Sequence, residues 1–174
     1  MEKKIMIRIA ITARTYDYHG LRRELNKDEK IVILSCDSCA KLSDGLGGKI
    51  GGTSLAEKLT ADGFLVTHKQ MLSSVCAPDQ LRESVGDEEI GKLFLESDVI
   101  IPLACRAGID RVEENLPQLR ILKVTETLGF GTYSPERGAR LTEPAEDIKI
   151  AIDNEEGITL AEAAARLDLY SGSF

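Results

Sequence analysis

The segment that most constrains the fold of this chain is residues 30–35, a run dominated by β-branched and apolar side chains (KIVILS). A run without a polar face is typical of a strand that is buried on both faces in a parallel sheet. A second run of this kind covers residues 98–104, and helix-like segments lie between the two. Strands that alternate with helices predict an α/β fold built on one doubly wound, mostly parallel sheet.

Segments towards both ends extend this pattern. Residues 5–12 alternate between isoleucine and other side chains, which predicts a half-buried strand at an antiparallel edge. The alanine-rich stretch 160–167 predicts a short helix with Thr159 as its N-cap. Another short element is expected near 146–152. The expected architecture is therefore a single Rossmann- or flavodoxin-like sheet with an N-terminal edge strand and short C-terminal helices.

Glycine and polar residues indicate where the chain turns. The glycine-rich stretch 45–52 is expected to form a loop before a helix at 55–62, and further strands are expected at 64–67 and 121–124. Loops or irregular segments are expected at 129–133, at 134–142 and in a loose tail at 171–174. We divide the chain into an N-terminal strand and loop packed on the core (1–29), a cysteine-bearing α/β domain (30–133) and a C-terminal extension (134–174).

Composition limits the compartment and the partners that we expect. With 22 basic and 29 acidic residues the chain has a formal net charge of −7, which works against binding to nucleic acid or to an anionic membrane. No apolar run approaches the length of a membrane span, and Arg8 interrupts the apolar residues near the N-terminus. We therefore expect a cytoplasmic protein. Thiols stay reduced there, so metal ligands or free cysteines are expected rather than disulfides.

All four cysteines follow predicted strands or neighbouring connections. Cys36 and Cys39 form a C-x-x-C pair after residues 30–35, Cys105 follows residues 98–104, and Cys76 lies on a connection between them. Ligands of an open α/β sheet bind outside the carboxyl ends of its strands. The four thiols are therefore expected to meet in one crevice, as a tetrahedral set for Zn²⁺ or an iron–sulfur cluster.

Two other interpretations of the cysteines stay open at this point. Each cysteine is also a small apolar side chain, and Cys76 or Cys105 at a strand end fits that role. Thioredoxin-like redox chemistry is disfavoured, because glycines rather than a helix are expected after Asp37 and Ser38. The glycine-rich stretch supplies backbone N–H groups, which favours a negatively charged site. The expected cofactor contacts are Gly45, Gly47, Gly48, Arg106 and Gly108.

Little in the sequence supports catalysis by side chains. The chain has two histidines, no nucleophile–base triad and no P-loop. The glycines at 45–52 resemble a dinucleotide fingerprint in content, but they begin too far after the strand. We expect no catalytic residues, and the question of whether the protein is an enzyme stays open at this point. An enzyme that binds a cofactor through the stretch 45–52 remains an alternative.

Four segments in fixed order resemble one known family. They are the C-x-x-C turn at 35–39, the lone cysteine at 75–78, the segment 102–113 (PLACRAGIDRVE) and the segment 125–131 (TETLGFG). Each is similar to a motif of the methylenetetrahydrofolate reductase C-terminal domain family. Members of that family are small subunits or appended domains that accompany a flavin-dependent reductase in anaerobes.

The resemblance implies a Rossmann-like domain with a [4Fe–4S] cluster on Cys36, Cys39, Cys76 and Cys105, with Zn as the alternative. It implies a non-catalytic accessory subunit that transfers electrons within a one-carbon redox complex. The implied partner is a flavin-dependent reductase, or a methyl-transfer or heterodisulfide-reductase-like complex, and a homodimer is also considered. Longer members carry a second cysteine-rich segment, whereas this chain has no cysteine after Cys105. One centre is therefore expected.

Overall fold

The structure is a computed structural model that describes residues 5–174, so the first four residues of the predicted segment 1–29 lie outside the described residues. Eight strands and seven helices are formed in this part of the chain. In chain order they are β1 (Ile7–Arg14), α1 (Tyr18–Arg23), β2 (Lys30–Cys36), α2 (Cys39–Leu42), α3 (Gly48–Ala61), β3 (Leu65–Leu72), α4 (Gln80–Gly86), α5 (Glu88–Leu95), β4 (Val99–Leu103), α6 (Arg106–Asn115), β5 (Arg120–Ile121), β6 (Thr125–Ser134), β7 (Gly138–Pro144), β8 (Ile158–Thr159) and α7 (Leu160–Arg166).

A parallel sheet with strand order β3-β2-β4-β5 forms the larger layer. The two apolar runs that predicted it are its central strands β2 and β4, which confirms that part of the prediction. Their side chains alternate between two cores. Ile33 packs with Leu55 of α3 on one face, and Val32 packs with Phe94 of α5 and Val112 of α6 on the other. The chain therefore crosses to opposite faces on leaving β2 and β4, which makes the boundary between these strands a topological switch point.

A second, antiparallel sheet with order β1-β6-β7-β8 replaces the single sheet expected from the sequence. β1 was predicted as an antiparallel edge, and it is one, but it pairs with β6 and not with a strand of the parallel sheet. Its isoleucines Ile9 and Ile11 pack on α7 through Ala163 and Ala164. β1 can therefore bury one face without joining the larger sheet, and both chain ends contribute to this second layer. The three-part division of the chain remains a prediction, and β6 runs across its boundary after residue 133.

The expected loop at 129–133 is wrong, because these residues belong to β6. Glycine is required there by close packing. A Cβ on Gly131 would lie 1.8 Å from the carbonyl oxygen of Arg140, and one on Gly129 would lie 2.1 Å from that of Glu143. The two glycines therefore allow β7 to pair with β6, and β7 itself occupies most of the segment expected to be irregular at 134–142.

The glycine-rich stretch 45–52 is also mostly helical, since α3 begins at Gly48 and not at residue 55. A Cβ on Gly51 would lie 2.2 Å from the carbonyl oxygen of Leu46, so the first turn of α3 is packed against the preceding loop. Glycines rather than a helix were expected after Asp37 and Ser38, and this prediction is wrong, because the single-turn helix α2 begins at Cys39.

Other local predictions have mixed outcomes. α7 forms as predicted, and the Thr159 hydroxyl accepts a hydrogen bond from the N–H of Glu162. The segment 146–152 forms no helix or strand, so the structure has one C-terminal helix where two short elements were expected. The tail is packed, because Phe174 is 4% exposed and lies in the core beside α3. Within residues 5–174, no helix is both long and apolar enough to cross a membrane.

Candidate metal centre at the switch point

Three cysteines lie at or shortly after the carboxyl ends of β2 and β4. Cys36 is the last residue of β2, Cys39 begins α2, and Cys105 is the N-cap of α6 directly after β4. β2 and β4 are adjacent and parallel, so both chains leave the sheet at the same edge. Cys36 and Cys105 are buried, and Cys39 is half-buried. These three cysteines therefore lie at the strand ends expected from the sequence, whereas their grouping into a tetrahedral set stays a prediction.

The fourth cysteine, Cys76, lies on the loop that follows β3, the neighbour of β2 on the other side. Its side chain is exposed and shares a hydrogen bond of 3.2 Å with the hydroxyl of Ser74. It lines the same cavity as Cys39 and Cys105. The preceding Val75 is buried in the core with Cys36, which anchors the loop beside the crevice.

Hydrogen bonds determine which thiol holds a proton. The Cys105 thiol donates to Cys39 and lowers the pKa of Cys39 to about 6, although partial burial works in the opposite direction. The main-chain N–H of Ala10 also donates to the Cys39 sulfur, at 3.4 Å. The hydrogen bond with Cys39 raises the pKa of Cys105, and burial raises it further. The pair therefore favours the thiolate on Cys39 and the thiol on Cys105.

Cys36 has a different environment from Cys39. Burial is the main cause that raises the pKa of Cys36, and the charges of Cys76 and Cys39 raise it further. Main-chain hydrogen bonds from Val75 and Ser38 oppose this shift. A thiol of this kind ionises when a cation replaces its proton, as metal binding requires.

The predicted cofactor glycines support the cysteine turn through packing. A Cβ on Gly47 would lie 2.6 Å from the carbonyl oxygen of Cys36 and 2.8 Å from Cβ of Ala40. Gly48 has a φ of +70°, and its carbonyl oxygen accepts a hydrogen bond of 2.7 Å from the Ser35 hydroxyl. Glycine at these two positions therefore lets the start of α3 lie directly against the end of β2.

Gly45, Gly108 and Arg106 have other surroundings. Gly45 adopts a φ of +77° in the loop before α3. A Cβ on Gly108 would lie 2.9 Å from Cβ of Ala104 and 3.4 Å from Val75, so this glycine lets α6 approach the Cys76 loop. The Arg106 side chain lines the cavity and forms ion pairs with Glu126 and Asp147. Whether any of these residues contacts a cofactor stays a prediction.

A cavity of about 620 Å³ opens over the thiols. The crevice forms one side of it, and the antiparallel sheet forms the other through Arg8, Ala10, Phe130 and Glu143. None of these four residues was predicted from the sequence to belong to a site. Their positions depend on the pairing of β1, β6 and β7, which brings together residues more than a hundred positions apart. Phe130, the aromatic residue between Gly129 and Gly131, could have indicated this wall of the cavity, but it was interpreted as part of a loop.

Thiols at one crevice are a suitable donor set for a soft or borderline metal such as zinc or iron. The lowered pKa of Cys39 and a fourth sulfur on the adjoining loop fit that chemistry. As placed in the described part of the chain, residues 5–174, the histidine, cysteine and carboxylate side chains form no group of three or more with the arrangement of a metal site. Comparison of the chain with protein-family models, with curated proteins and with solved structures finds no match.

Proposed function

We propose that the protein is an accessory iron–sulfur subunit that transfers electrons within a one-carbon redox complex. The observation that supports the proposal is that Cys39, Cys76 and Cys105 line one cavity at the carboxyl edge of the parallel sheet, where Cys36 ends the adjacent strand β2. Cys36, Cys39, Cys76 and Cys105 would hold one [4Fe–4S] cluster, which supplies one-electron transfer when bound. We further propose that the parallel sheet is a Rossmann-like unit, to which β1 and the segment after β5 add the second sheet.

The roles of the protein's own residues follow from their contacts. Cys36 supplies a buried ligand in an apolar environment, and Cys39 supplies a thiolate that the Ala10 N–H orients. Arg106 holds two carboxylates beside the crevice, and its own N–H donates to the Thr127 hydroxyl at 2.8 Å. This network fixes the start of α6 and therefore the position of Cys105.

The family resemblance supplies the expected partner. It is a flavin-dependent methylenetetrahydrofolate reductase, or a methyl-transfer or heterodisulfide-reductase-like complex, in the cytoplasm. The exposure of Cys76 is compatible with this role, because electron transfer to a partner requires a centre near the surface. A homodimer is a further assembly that the proposal leaves open.

A structural zinc site without redox activity is the second candidate, and one observation favours it. Cys36 belongs to a core of the parallel sheet, whereas Cys39 packs on the core of the antiparallel sheet. A metal bound by both would connect the two layers, which is a typical role of structural zinc. The third candidate, an enzyme that uses the stretch 45–52 for a cofactor, gains no support from Gly47 and Gly48, whose neighbours are protein atoms.

Purification without oxygen, followed by metal analysis and visible spectroscopy, separates the first two candidates. About four irons per chain with broad visible absorption that bleaches with dithionite supports the cluster. One zinc in a colourless protein contradicts electron transfer and supports the structural site. The double variant Cys36→Ser, Cys105→Ser should lose the metal, whereas Asp37→Asn, which changes no thiol in the same turn, should keep it. Retention of metal in the double variant would contradict both candidates.

A further inference from the structure

The cavity over the cysteines has the dimensions of a small-molecule site. Its volume of about 620 Å³ lies within the range of roughly 300–1,000 Å³ that is usual for ligand pockets. The crevice contributes Cys39, Cys76 and Cys105 to its lining, and the antiparallel sheet faces them across the cavity. Neither a single metal ion nor one [4Fe–4S] cluster on these thiols would fill a space of this volume.

Most of the wall opposite the thiols is apolar. Ala10 on β1, Phe130 on β6, and Pro144 and Ala145 at the end of β7 contribute to it. Phe130 is 49% exposed, although Ala10 beside it in the sheet is buried. An aromatic ring of this kind, presented at the wall of a concave site, favours an apolar or aromatic partner.

The two arginines that line the cavity, Arg8 and Arg106, are already paired within the protein, whereas Asp110 of the same lining forms no ion pair among the described residues 5–174. Arg8 forms two hydrogen bonds with the Glu143 carboxylate, at 3.0 and 2.9 Å, and its guanidinium lies 4.9 Å from the centre of the Phe130 ring. Arg106 forms hydrogen bonds with Glu126 at 2.8 Å and Asp147 at 3.0 Å. An anionic ligand would have to displace a carboxylate from one of these arginines. These pairs therefore disfavour an anionic ligand, and the apolar wall that contains Phe130 favours an uncharged one.

From these observations we propose that the cavity is a binding site for an uncharged, predominantly apolar organic molecule, held between Phe130 and the cysteine thiols. The site goes beyond the proposed function, since the cavity walls are protein atoms and binding does not depend on a bound metal. If the proposed metal centre is also correct, the ligand would lie beside it. The two proposals can therefore fail separately.

The test uses the full chain, reduced and treated with a chelator, and the neutral fluorophore prodan as probe. We expect saturable binding of one prodan per chain with a blue-shifted emission. The anionic fluorophore 2-anilinonaphthalene-6-sulfonate should bind more than about tenfold more weakly, because its charge would be buried without a partner. Equal affinity for the two probes would overturn the assignment of an uncharged ligand.

Variants and thiol protection then locate the probe. Ala145→Phe fills the cavity and should abolish binding, whereas Ala161→Phe, the same change at an exposed position of α7 outside the cavity lining, should leave it unchanged. Phe130→Ala removes the aromatic wall without adding volume, and should weaken binding if Ala145→Phe does not fold. Bound prodan should also slow the alkylation of Cys39 and Cys76 by iodoacetamide. Binding that survives both cavity variants, or that leaves the alkylation rates unchanged, would overturn the proposal.

Discussion

The main-chain N–H of Ala10 in β1 donates a hydrogen bond to Sγ of Cys39 across 29 positions of sequence. β1 belongs to the antiparallel sheet, and Cys39 begins the turn at the carboxyl edge of the parallel sheet. The bond therefore joins the two layers at the candidate metal centre. Next to it, the Ser43 hydroxyl accepts a hydrogen bond from the N–H of Thr12 at 3.1 Å, so the outer edge of β1 is covered by α2 and the residue after it.

The shared proton of Cys39 and Cys105 predicts a distinctive reactivity in the reduced, metal-free protein. Alkylation of Cys39 by iodoacetamide should be half-maximal near pH 6 instead of near the ordinary value of 9.0. Cys105→Ala removes the largest cause of the shift and should move the midpoint towards 9.0. Peptide mass spectrometry across a pH series measures both midpoints, with Cys76→Ser as the control. An unchanged midpoint in Cys105→Ala would contradict the hydrogen bond.

The same shift predicts how stability depends on pH. Since the pKa of Cys39 is lower in the folded state, the unfolded chain binds more protons between pH 6 and 9, and stability rises with pH in that window. The contribution is lost as the pH falls through about 6. The raised pKa of Cys105 has the opposite effect and makes stability fall as the pH rises, but only above the ordinary pKa of 9.0. The free energy of unfolding, measured in urea, should therefore differ less between pH 5.5 and pH 8 for Cys39→Ser than for the unchanged protein.

Ser43 stabilises the contact between the two layers. Its hydroxyl is buried, accepts from the Thr12 N–H and donates to the carbonyl oxygen of Ala10. Ser43→Ala should therefore lower the free energy of unfolding by about 1–3 kcal/mol, because a buried N–H loses its acceptor. Ser73→Ala, at an exposed serine, is the matched control in the same urea titration. Equal effects of the two changes would show that the hydrogen bond contributes nothing.

Gly47 is predicted to be essential for the shape of the crevice. Gly47→Ala introduces a Cβ against the Cys36 carbonyl oxygen and Ala40, and should cost about 1–3 kcal/mol of unfolding free energy. Gly47→Ala should also reduce the amount of metal that stays bound after gel filtration, because the added Cβ would displace the turn that carries Cys36 and Cys39. The control is Gly86→Ala at the end of α4, where an added Cβ would meet no described atom within 4 Å. A Gly47→Ala protein as stable as the Gly86→Ala control would contradict the packing argument.

Glu143 is predicted to control the charge preference of the cavity more than the stability of the fold. Its ion pair with Arg8 is exposed, so Glu143→Gln should cost less than about 1 kcal/mol in a urea titration. The change leaves Arg8 without its carboxylate, and the anionic fluorophore should then bind more tightly while prodan binding stays the same. Glu162→Gln on α7, which removes the exposed carboxylate partner of Arg166, is the control. No gain for the anionic probe would show that Arg8 does not govern selectivity.

The sequence by itself determined the central part of this protein. Residues 30–35 and 98–104 carry apolar side chains on both faces, so they had to become interior strands, and parallel strands leave a sheet at a common edge. The positions of Cys36, Cys39 and Cys105 follow from that local pattern. Thr159 likewise marks the start of α7, because a capping hydroxyl acts on N–H groups only a few residues away.

Tertiary structure alone decided the second sheet and the cavity. The polar segment at 138–144 and the glycines of β6 have little strand propensity, and they form strands because the backbones approach closely enough to pair. Arg8, Phe130 and Glu143 meet because β1, β6 and β7 are adjacent, although Arg8 and Glu143 are 135 positions apart. Long-range pairing of this kind depends on the register between distant strands. Local periodicity carries no information about that register, and so the wall facing the thiols could not be predicted from the sequence.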